Sequence, residues 1–116
     1  MRADVKEKGK THINLPFNLV RENVLIQARK CYKANLNVSY HEHVIEDTKP
    51  GEFTSLHVLV KGANVRVTHS FDIQKHPNGG TEISWYVGGL MTLDFRPVVE
   101  HWAKGLEGKC GYTNDK

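Results

Sequence analysis

Residues 53–89 read FTSLHVLVKGANVRVTHSFDIQKHPNGGTEISWYVGG. Apolar and polar residues alternate through this stretch with a period of two. Leu56, Val58 and Val60 share one face. Val65, Val67, Phe71 and Ile73 share the next, and Ile83, Trp85 and Val87 the one after. The intervening positions carry Arg66, Thr68, Ser70, Asp72, Gln74, Glu82 and Ser84. A strand turns successive side chains to opposite faces, so this pattern predicts half-buried strands over 53–61, 65–75 and 81–89. GAN and HPNGG between them are turn sequences, because Gly and Asn tolerate positive φ. Short strands joined by short turns form an antiparallel meander with one packed face and one wet face.

Working outward, LNVSYHEHVIED predicts a preceding strand over 36–46, and KTHINLPF a first short strand ended by Pro16. Between them, NLVRENVLIQARKCY places Phe17, Val20, Val24, Ala28 and Cys31 on one helical face, with Arg21, Glu22 and Arg29 away from it. The helix is expected over 18–33 with Asn18 as its N-cap. At the other end, LDFRPVVEHWAKGLEGKC sets Val98, Val99, Trp102, Leu106 and Cys110 near one stripe. Pro97 suits the first turn of that helix. Gly105 is expected inside it at a cost of about 1 kcal/mol relative to Ala, with Gly108 beginning the exit.

The order strand, helix, four strands, helix predicts an α+β two-layer fold, β-α-β-β-β-β-α. Its antiparallel sheet carries two helices on one face. The division expected is a polar tail over 1–11, a single domain over 12–112 and a C-terminal tail over 113–116. This element order resembles the TATA-binding-protein-like arrangement. It also resembles a reduced helix-grip domain of the START or Bet v 1 type, and neither likeness carries function.

The 116 residues hold 39% hydrophobic and 25% charged residues, as one globular domain does. The net charge of +3 is small and scattered, and the strand aromatics are not interleaved with a basic stripe. Nucleic-acid binding is therefore not expected. No apolar run approaches the ~18 residues of a membrane helix. The N-terminus has charges but no apolar signal region, so the sequence reads as cytosolic or as an exported body whose signal has been removed.

The chemistry offered is sparse. No Gly-x-Ser-x-Gly turn, phosphate loop or dinucleotide fingerprint is present, and no catalytic residue or cofactor is assigned. His41 and His43 share a strand face, and His57 on the neighbouring strand is expected to join them. Three imidazoles make a weak metal candidate, but solvated surface histidines are the expectation, and no high-affinity metal site. His69 interrupts the core-facing run of its strand, and Glu42 falls with Tyr40 and Val44 on the matching face. A buried polar group needs a partner, and Glu42 or Tyr40 would serve His69. Alternatively, Glu42, His69, Trp85 and Trp102 line a ligand pocket between sheet and helices.

The two cysteines, Cys31 and Cys110, both continue an apolar helix stripe. They read either as two buried thiols or as a bridge. A bridge closing about 80 residues is worth roughly 4–5 kcal/mol in the chain-entropy model. Cys31-Tyr32, Gly79-Gly80-Thr81, Trp102, Gly105 and Cys110 together resemble the pattern of a group of small, uncharacterised bacterial lipoproteins. That resemblance favours the Cys31–Cys110 disulfide and implies an exported, periplasm-facing protein. The function expected is an envelope-associated binding or structural domain without catalytic activity, whose partner is an envelope protein or a small apolar ligand. The alternative is a cytosolic helix-grip domain holding an apolar small molecule.

Overall fold

The computed structural model describes residues 5–33, 39–46, 52–61, 66–88 and 95–107. Its elements are β1 (Val5–Ile13), α1 (Phe17–Lys33), β2 (Ser39–Glu46), β3 (Phe53–Lys61), β4 (Arg66–Lys75), β5 (Thr81–Gly88) and α2 (Arg96–Ala103). This is the β-α-β-β-β-β-α order the alternation predicts. The five strands form one antiparallel sheet in the order β1-β5-β4-β3-β2. Chain neighbours pair from β2 to β5, and β1 closes beside β5.

The core lies between one sheet face and the two helices. Leu56, Val58, Phe71, Ile73, Ile83, Trp85 and Val87 supply the sheet side. Val20, Val24, Leu25 and Ala28 enter from α1, and Val98, Val99, Trp102 and Ala103 from α2. Trp85 and Trp102 thus belong to one core. The rings of Phe71, Phe95 and Trp102 touch mutually, with centroids 5.3–5.9 Å apart. Asn23 of α1 donates from Nδ2 to the Ala103 carbonyl at 2.9 Å and ties the two helices together.

Three expectations are corrected. The first concerns residues 5–11, which are not a tail but most of β1. Gly9 and Thr11 stand opposite Trp85 and Ile83 on the core face, while Lys8, Lys10 and His12 face outward. The alternation is hidden because its inward positions hold Gly and Thr rather than large apolar residues. Gly9 is small of necessity: a Cβ there would lie 2.5 Å from the Trp85 ring. The charges suit a terminal strand, which they guard against stray pairing.

Second, α1 begins at Phe17, and its first-turn bond runs from the Val20 N–H to the Pro16 carbonyl at 3.1 Å. Asn18 therefore sits inside the first turn rather than capping it.

Third, α2 ends at Ala103, and Gly105 is its stop, not an interior residue. Gly105 has φ +75°, and its N–H donates to the Trp102 carbonyl at 2.9 Å. The Leu106 N–H donates to the His101 carbonyl at 3.0 Å. That pair of bonds is a Schellman cap, which requires a left-handed residue and so favours glycine. Leu106, beyond the stop, is 48% exposed and does not extend the apolar stripe.

Candidate functional site

The second sheet face is covered by neither α1 nor α2, both of which pack on the first. Antiparallel register aligns its side chains in rows across the strands. One row runs Lys8, Tyr86, Ser70, His57, His43 from β1 to β2, and the next runs Lys10, Ser84, Asp72, Ser55, Ile45. Where these rows meet on β3 and β4, a hydrogen-bonded chain forms. The Ser55 hydroxyl donates to Asp72 Oδ1 at 2.6 Å. Ser55 Oγ lies 3.1 Å from His57 Nε2, and Ser70 Oγ lies 3.1 Å from His57 Nδ1.

The proton positions follow from counting. A serine hydroxyl has one proton, and that of Ser55 goes to Asp72, so Ser55 can only accept from His57 Nε2–H. In the neutral ring Nδ1 is then the acceptor, and Ser70 donates to it. His57 is thus held by both nitrogens, in one tautomer, with a carboxylate at the far end of the relay. Ser55 and Ser70 are each only 5% exposed although neither α1 nor α2 lies over them.

His43 stands directly opposite His57, with ring centroids 6.5 Å apart. His41 is opposite Leu59, one row away. Among the described residues, no cluster of three His, Cys, Asp or Glu side chains is placed to share a metal ion.

The four residues expected around a pocket divide. His69, Trp85 and Trp102 are buried in the common core. The His69 ring packs against Phe71 and Phe95, at centroid distances of 6.1 and 5.3 Å. Burial pushes its imidazole down to about pKa 4, so the ring is neutral at pH 7. Arg96 lies 5.2 Å from the Trp85 ring centroid, in cation–π geometry.

Glu42 does not pair with His69. Register places Val58 of β3 between them, and two strand spacings amount to about 9.6 Å. Glu42 instead takes Arg29, whose Nε lies 3.0 and 2.8 Å from its two oxygens. It also accepts from the Tyr40 hydroxyl at 2.7 Å. Desolvation, and then this bond to Glu42, raise the phenol's pKa.

A second arginine repeats the device. Arg21 Nε donates to Glu46 Oε2 at 3.1 Å, and Thr54 donates to Glu46 Oε1 at 2.7 Å. Hydrogen bonding from Arg21 lowers the Glu46 pKa. Eight residues of helix and four of strand both span about 12–14 Å. Arg21 and Arg29 therefore meet Glu46 and Glu42 in antiparallel order, and the helix flank clamps β2.

Cys31 is half-buried against the core near the end of α1. Cys110 lies outside the described residues, and so does the pairing expected of it. No helix among the described residues is long and apolar enough to cross a membrane. Compared with known proteins, the chain matches no family model and no curated protein.

The relay partners Ser55, Ser70 and Asp72 are what sequence reasoning missed. Face parity assigns them to the side of His57. Only the strand register, which no turn motif here specifies residue by residue, puts the hydroxyls within reach of its two nitrogens.

Proposed function

We propose that this chain is a small exported, envelope-associated binding module without catalytic activity, which receives a polar partner on the open sheet face around His57. The observation that carries this reading is the Asp72–Ser55–His57–Ser70 chain on the face the helices leave uncovered. A face built only to be solvated has no need to fix an imidazole by both nitrogens. Groups fixed before binding lose less freedom on association, which favours a recognition role. Ser70 is enclosed and directs its hydroxyl at His57, which supports recognition over nucleophilic chemistry. On the helix side, the touching rings of Phe71, Phe95 and Trp102 occupy the place where a helix-grip ligand would lie. The core therefore favours this reading over the apolar-ligand alternative.

Export rests on the cysteines. Cys31 and Cys110 are the two cysteines of the chain. A Cys31–Cys110 bridge would persist in an oxidising compartment. Intact mass of unreduced protein tests this part directly, since a bridge makes the chain lighter by two hydrogens. Two free thiols after purification without reductant would remove the support for export.

The binding reading is tested by amide NMR titration with two probes, a soluble oligosaccharide and laurate. The expected result is oligosaccharide-induced shifts centred on β3 and β4 around His57, lost in His57→Ala. Laurate-induced shifts centred on Trp85 and Trp102 would instead establish the helix-grip alternative. The absence of any open-face response to the hydroxyl-rich probe would count against a polar site there.

A further inference from the structure

The charges of the open sheet face are segregated by row. Among the described residues its acids are Asp72 and Glu82. Asp72 lies in the row of Lys10, and Glu82 stands opposite His12 in the row beyond, towards the β4–β5 turn. The remaining three rows of the face hold no acid among the described residues. They run Lys8–Tyr86–Ser70–His57–His43, then Thr68–Leu59–His41, then Arg66–Lys61–Ser39. Lys8, Lys61, His41 and His43 are exposed. The register also sets two cationic residues, Arg66 and Lys61, directly opposite each other. Like charges so paired are destabilising, and a bound anion offsets them. The His57 chain can itself take up charge. A hydroxyl either donates or accepts, so when His57 Nδ1 is protonated Ser70 accepts from it, and Asp72 at the far end of the chain steadies the imidazolium. The titratable and charged groups around that ring are His43 across on β2, Asp72 on β4 through Ser55, and Tyr86 and Lys8 along its row on β5 and β1.

We infer, on the reading that the open face is a polar binding site, that its acid-free half takes a hydroxyl-rich ligand bearing carboxylates, a uronate-type oligosaccharide, and holds it more tightly as pH falls. The missing acids select an anion. The number of permanent cations selects its kind. Lys8 and Lys61 lie three strands and four residues apart, about 20 Å, and only Arg66 is added to them in these rows. A polynucleotide draws its affinity from many simultaneous phosphate contacts, which three dispersed cations do not supply. Between the charges stand the hydroxyl residues Ser39, Thr68, Ser70 and Tyr86 and three imidazoles. Those groups match sugar hydroxyls, while the cations match the carboxylates carried among them. The imidazoles gain charge in mild acid, which adds to the attraction without any change of fold.

The experiment is amide NMR titration of the full chain with oligogalacturonate, and with its methyl ester as the uncharged counterpart. Oligogalacturonate is expected to shift amides of β2, β3 and β4 around His41 and His57, and to bind more tightly than the ester. Its affinity should fall with added salt and rise about threefold between about pH 7.5 and about pH 6. The double variant His41→Gln, His43→Gln should lose most of that rise. Lys61→Glu should weaken binding about fivefold. Lys104→Glu, at the end of α2, makes the same change of net charge and should leave binding unaltered. Equal binding of the ester and the acid would overturn the anionic ligand while leaving a polar site on the face. No open-face response to either sugar would remove both. Equal losses in Lys61→Glu and Lys104→Glu would reduce the effect to bulk charge and overturn the site. Tighter binding of a thymidine oligonucleotide or of phosphatidylglycerol vesicles would overturn the choice of ligand.

Discussion

Acid should destabilise this protein through His69. His69 is fully buried, with Phe71 and Phe95 against its ring, and burial lowers its pKa from 6.5 to about 4. In the unfolded chain the same imidazole titrates near the ordinary value. Between those two values the unfolded state binds a proton that the folded state refuses. Stability falls wherever the unfolded state is the better proton binder and pH is lowered. The loss therefore begins as pH drops through about 6.5 and is complete only below about 4. From pH 7 to pH 5 the shift amounts to roughly 2 kcal/mol, a large share of the 5–15 kcal/mol that holds a typical domain together. The assay is urea denaturation at half-unit pH steps from 7 to 4.5, on wild type and on His69→Leu. Leucine cannot titrate, so the variant should lose that part of the pH dependence while keeping the contributions of every other group. The difference between the two curves, not either slope alone, isolates His69. Parallel curves would refute the reasoning and would mean that the buried ring accepts a proton in place, stabilised by its surroundings.

Two further predictions concern the core. Trp85→Ala and Trp102→Ala should each cost about 3–5 kcal/mol in urea unfolding, because both side chains are fully enclosed; near-wild-type stability in either would mean that its ring is not packed as described. Gly9→Ala should cost about 1–3 kcal/mol by overpacking, since the new Cβ would lie 2.5 Å from Trp85 Cζ2. That penalty should shrink in a Trp85→Leu background, where the obstructing ring is gone.

The elements differ in how far they could be read in advance, and the reason is physical. β3, β4 and β5 announce themselves because each is packed on one face only, so burial imprints a period of two on the sequence. The end of β1 is readable, since Ile13 is a large apolar inward residue, but the part before it obeys the same geometry and is unreadable by that rule. Its inward positions are Gly9 and Thr11, opposite Trp85 and Ile83, and the large partner supplies the volume that the small one lacks. Hydrophobicity is then a property of the pair, not of the strand. The end of α2 fails for a related reason. A glycine has the same identity whether it weakens a helix from within or closes it from outside. Only the left-handed φ of Gly105, with its two capping bonds, decides between them.

The candidate site marks the boundary more sharply. That His41 and His43 share a face is legible, since parity alone settles it, whereas the β2–β3 register is what places His57 with them. That Glu42 belongs to Arg29 and not to His69 is not legible, because the sheet order inserts Val58 between two residues that share a face. The relay around His57 depends on a still finer quantity, which residue stands opposite which. A slip of one residue in the β3–β4 register would turn Ser70 and Asp72 to the core face and bring His69 and Phe71 outward. The burial of Phe71 and Ile73 forbids that slip. The apolar pattern that specifies the core therefore also fixes the polar network on the opposite side. The fold and the site are written in the same alternation, but the site becomes readable only when the pairing partner of each residue is known.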